Sequence, residues 1–65
     1  MKVWLLKFKC GICGHTPEEE IRLYMTEKGA RRTMSNFQKR DREWPHHTYI
    51  DFELYYLDGT LTRIA

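Results

Sequence analysis

The chain predicts an α+β fold: a two-layer sandwich of β-β-α-β-β order, with one helix packed on a mainly antiparallel four-stranded sheet. Three observations point there. Val3 to Cys10 alternates with a period of two, setting Trp4, Leu6, Phe8 and Cys10 on one face and Val3, Leu5, Lys7 and Lys9 on the other. From about Glu27 to Trp44, Ala30, Met34, Phe37 and Trp44 recur at helical intervals along one stripe. Thr48 to Leu57 is rich in β-forming residues and runs into Asp58-Gly59, a hairpin signal. A single apolar helix stripe must cover a single apolar sheet face, which gives two layers.

The first strand ends at Gly11, Gly14 and Pro17, which punctuate a turn. The next segment supports two patterns. Thr16, Pro17 and Glu19 have the spacing of a helix start. Ile21, Leu23 and Met25 alternate with Arg22, Tyr24 and Thr26 as a strand would. A strand over about Glu20 to Thr26 is preferred, because a stronger helix begins just beyond it. Thr26 is a suitable cap for that helix, and Asp41 is a polar blemish on its apolar stripe. Pro45 stops it, having no amide hydrogen and disfavouring helical geometry at Trp44. In the third strand Ile50, Phe52, Leu54 and Tyr56 are expected on the buried face, with Tyr49, Asp51, Glu53, Tyr55 and Leu57 opposite. A type I′ turn at Asp58-Gly59 would set Tyr56 opposite Leu61 and bring Leu61 to the buried face. Hairpins at both ends of the chain give a sheet order of 2-1-3-4.

The 65 residues make one small domain, 1–65, of ordinary globular composition: 42% hydrophobic and 31% charged. Eleven Lys and Arg against nine Asp and Glu leave a formal charge of +2, too little for a bulk polyanion binder. No phosphate-cradling glycine loop and no Ser-His-Asp spacing is present, so a non-enzymatic role is expected. The four apolar residues Val3 to Leu6 are too few for a signal peptide or a membrane span. The expected setting is the reducing cytoplasm, with no membrane partner. A chain this short buries only about 60% of its unfolded surface, so a staple would help it fold.

Cys10 and Cys13 are the only cysteines. Cys10-Gly11-Ile12-Cys13-Gly14-His15 resembles the zinc knuckle of zinc-ribbon and rubredoxin-type proteins, over these six residues. The resemblance implies a structural zinc ion held by the two thiolates, with glycines letting backbone amides approach the sulfurs. A second Cys-x-x-Cys is absent, and histidines could complete the set. The topology carries Trp44-Pro45-His46-His47 to the same end of the sheet, which makes Cys10, Cys13, His46 and His47 the expected ligands, with His15 as an alternative. A dithiol redox pair fits less well, because such motifs open a helix inside a βαβ unit.

Two surfaces are candidates for binding. Lys28, Arg32, Lys39 and Arg42 form a stripe about 200° around the helix from the apolar one, and Arg31 and Arg40 add to it. This face suits the phosphates of DNA or RNA in a regulatory setting, although a solvated outer helix face has the same pattern. The uncovered sheet face is expected to show Val3, Leu5, Lys7, Lys9, Arg22, Tyr24, Tyr49, Tyr55 and Leu57. Tyr24, Tyr49, Tyr55 and Leu57 there would serve a protein-interaction or inhibitor module, or a homodimer. Of the two functions, nucleic-acid binding through the helix is the first expectation and protein contact the second.

Overall fold

The structure is a computed structural model that describes residues 2–65. Its elements are β1 (Val3–Ile12), β2 (Glu18–Tyr24), α1 (Glu27–Glu43), β3 (His47–Asp58) and β4 (Thr60–Arg63). The sheet is antiparallel throughout, in the order β2-β1-β3-β4. The helix lies against one face of it, chiefly over β3. The ambiguous second segment is therefore a strand, two residues earlier than its alternation suggests.

Local chemistry sets the helix ends. The Thr26 hydroxyl accepts a hydrogen bond from the Gly29 amide at 3.1 Å, filling one of the donors that a first turn leaves open. Before Pro45 the backbone of Trp44 turns extended (φ −107°, ψ 100°), so the helix ends at Glu43. Trp44 thus leaves the apolar stripe and stays 44% exposed. Arg40 lies 5.1 Å from the centre of its ring. The blemish at Asp41 has a use: its Oδ1 accepts the Tyr49 amide at 2.9 Å, tying the helix end to the start of β3.

Leu6 and Phe8 of β1, Leu54 of β3, and Ala30 and Phe37 of the helix form the buried core. Phe8 packs against Phe37 and Phe52 with ring centres 5.0 and 5.6 Å apart. Full burial of a side chain such as Phe8 or Leu54 contributes about 1.5–3 kcal/mol.

Two registers differ from expectation. The pairing of β1 with β3 shifts between Lys7 and Lys9, and Asp51 adopts φ 57° in the left-handed region. This is a β-bulge, and one extra residue reverses which side chains face the helix. Phe52, Leu54 and Tyr56 keep the helix side, but Tyr49 joins them and Ile50 turns to the open face. Tyr49 stacks on Phe37 at 4.9 Å. In the second hairpin Leu57 pairs with Leu61 and Asp58 with Thr60, so the chain turns about Gly59 alone (φ 75°). A type I′ turn needs positive φ at both central residues, and Asp58 does not have it. Leu61 accordingly shares the open face with Leu57.

Candidate functional site

At the knuckle, β1 continues as a strand to Ile12, so Cys10 is held in extended backbone. Its thiol lies on the helix side and donates to Glu20 Oε2 at 3.2 Å. Burial, reinforced by that carboxylate, raises the Cys10 thiol above its ordinary pKa. A reactive or redox thiol has the opposite shift. Cys13 is exposed, in a turn closed by the His15 amide on the Ile12 carbonyl at 3.0 Å, with Gly14 at φ 89° as a type II turn requires. Gly11 is needed for a different reason: a Cβ there would meet the Pro17 backbone at 3.0 Å.

The two loops do converge. The Cys13 amide donates to the His46 carbonyl at 2.8 Å, and Ile12 pairs with His47. The donor side chains do not gather, however. Among the described residues no three His, Cys, Asp or Glu side chains are grouped to hold one metal ion. The His47 ring lies against Trp44 and Tyr49, at 5.4 and 6.4 Å between ring centres. His15 and His46 are exposed.

On the helix, three of the six predicted cations are already engaged. Arg31 Nε bonds Glu27 at 2.7 Å, Lys39 is 4.0 Å from Glu43, and Arg40 lies over the rings of Phe37 and Trp44. Among the described residues, Lys28, Arg32 and Arg42 have no carboxylate in ion-pair range.

The open face is built by register. Val3 lies beside Leu57 and Leu57 beside Leu61; in the neighbouring row Leu23 pairs with Leu5, Leu5 with Tyr55 and Tyr55 with Arg63. In the next row Ile21, Lys7 and Glu53 follow. Leu23, Ile21 and Leu61 are 64%, 53% and 52% exposed. Beside this apolar band, near the bulge, is a shallow depression of about 370 Å³ lined by Lys7, Lys9, Arg63, Glu19, Asp51 and Glu53. Its charges are matched: Lys7 is 3.1 Å from Glu19, Lys9 3.7 Å from Asp51, and Arg63 3.7 Å from Glu53. The Tyr55 hydroxyl donates to Glu53 and, with Lys7 and Arg63, holds that carboxyl below the usual carboxylate range.

Three of the nine residues predicted for this face belong to the other. Tyr24 pairs with Trp4 and Arg22 with Leu6, so both lie on the helix side, and the bulge moves Tyr49 there as well. Tyr55 and Leu57 are where they were expected. The residues that the alternation reading missed are Ile21, Leu23, Leu61 and Ile50. Taking the apolar side of each strand as the core side hid them. The signal that reveals the first two is the β1–β2 register, since Ile21 and Leu23 must share a face with Lys7 and Leu5.

Comparison with protein-family models, curated proteins and solved structures finds no match to this chain. Among the described residues no helix is long and apolar enough to cross a membrane.

Proposed function

We propose that this chain is a non-enzymatic protein-interaction module that works through the uncovered face of its sheet. The observation behind this reading is the run of Val3, Leu5, Leu23, Tyr55, Leu57 and Leu61 across all four strands, beside a belt of cations already matched by carboxylates. An apolar patch with a rim of both signs suits a protein surface of the same kind. It offers little uncompensated positive charge to a phosphate backbone.

The test is site-specific photo-crosslinking in cells that make the protein. A photoreactive residue replacing Leu5 is expected to give one discrete protein adduct, lost when Tyr55→Lys is added. The same residue replacing Arg32 is expected to give none. Nucleic-acid adducts from position 32, with no protein adduct from position 5, would overturn the reading.

A second reading rests on Lys28, Arg32 and Arg42, on one side of the helix and without carboxylate partners among the described residues: binding of DNA or RNA phosphates. It predicts a mobility shift with short oligonucleotides at low salt, abolished by Arg32→Glu with Arg42→Glu. No shift at low salt removes it.

A further inference from the structure

We propose that β2 pairs edge to edge with β2 of a second copy of this chain, antiparallel and centred on Ile21, joining two sheets into one of eight strands. This goes beyond the open-face reading and uses the edge of the sheet, which shares only Leu23 with the apolar patch of that reading.

The two edges of the sheet are unlike. β4 is four residues long, a length that itself discourages further pairing. β2 is seven residues long, regular in its pairing with β1, and, among the described residues, has no strand on its outer side. It contains no proline or lysine, and its exposed apolar side chains Ile21 and Leu23 lie on that edge. An edge of this kind is a template for another strand.

Charge selects both the partner and the register. The strand reads Glu18-Glu19-Glu20-Ile21-Arg22-Leu23-Tyr24, acidic in its first half and free of carboxylates in its second. A two-fold axis at Ile21 sets Glu20 opposite Arg22 of the second copy, twice. It also sets Glu19 opposite Leu23 and Glu18 opposite Tyr24, so no two carboxylates meet. Moving the axis to Glu20 or to Arg22 would put like charges directly opposite, which is destabilising. Within each copy Arg22 already bonds Glu20 Oε1, at 3.1 Å from Nη2 and 3.2 Å from Nε. Both side chains remain about half exposed, so pairing closes a ring of four alternating charges. On the other face the two Ile21 side chains meet at the axis, with each Leu23 diagonal to the second copy's Ile21.

The experiment is sedimentation equilibrium of the full chain at concentrations up to about 1 mM, the range in which weak pairing is visible. The native chain is expected to dimerise. Glu20→Arg and Arg22→Glu are each expected to weaken dimerisation by at least about tenfold, because each replaces two attractive pairs by two repulsive ones. An equimolar mixture of the two variants is expected to restore a heterodimer, since both cross-strand pairs are again of opposite sign. Circular dichroism of each variant checks that it is folded, and the mixture recovers pairing without altering either chain's own fold. A native chain that stays monomeric overturns the proposal. So does a dimer unaffected by these variants but dissociated by Leu57→Lys, which would place the second copy on the open face instead. Neither outcome depends on the crosslinking result at Leu5.

Discussion

The two halves of β3 differ across the bulge at Asp51. Beyond it, Phe52, Leu54 and Tyr56 present a regular alternation to the helix, and Leu54 is fully buried. Before it, the helix side is taken by Tyr49, which is fixed twice, by its ring on Phe37 and by its amide on Asp41. The regular half is held by burial. The other half is held by a stacked ring and a capping carboxylate, and it delivers His47 to the turn that contains Cys13. One residue in the left-handed region thus separates a packing segment from a positioning segment.

Substitutions on each side of the bulge test this contrast. The largest effect is expected from Leu54→Ala: a loss of about 3 kcal/mol, lowering the melting temperature by roughly 15 °C. Tyr49→Ala should cost about 2 kcal/mol while Ile50→Ala costs less than about 1 kcal/mol, read from urea melts. The reverse ranking would mean that the bulge is absent and Ile50 faces the helix. At the bulge itself, Asp51→Val is expected to lose about 1–2 kcal/mol, because a β-branched residue resists positive φ, and Asp51→Gly to change stability by less than about 0.5 kcal/mol.

Smaller effects lie on the open face and at the turn. Glu53 has a folded-state pKa below its unfolded value, through the Tyr55 hydroxyl first and then Lys7 and Arg63. Its contribution is therefore present above the unfolded pKa and is lost as pH falls through the folded one. Glu53→Gln should make the acid limb of the stability–pH curve shallower, and an unchanged limb would show that the Tyr55 bond is not formed. The smallest expected effect concerns the thiols. With Cys10 bonded to Glu20 and Cys13 on an exposed turn, one equivalent of zinc should leave the melting temperature unchanged. A rise of several degrees, lost in Cys13→Ser, would show that the two loops rearrange around the ion.

Much of the architecture could be read from residues alone. Alternation in β1 and β3, the Thr26 cap and the Pro45 stop gave the element order, and the hairpins gave the strand order. What could not be read was parity. Tyr49-Ile50-Asp51-Phe52 reads as unbroken alternation, and an aspartate accepts positive φ without the glycine that would advertise it. The same limit displaced Leu61, because Asp-Gly marks a turn without fixing which residues close it. At the knuckle, topology indicated that two loops meet, as the bond from the Cys13 amide to the His46 carbonyl shows. The direction of each thiol depended on how far β1 continues as a strand, which the glycines obscured.

The central pair of the sheet joins the first strand of the chain to the third, with the β2 hairpin and the whole helix between them. Neither outer hairpin reaches the core without that long-range docking, so assembly must wait for two distant segments to find one another. Refolding should accordingly be limited by loop closure rather than by helix formation. A fragment stopping at the end of α1 should lack cooperative structure altogether.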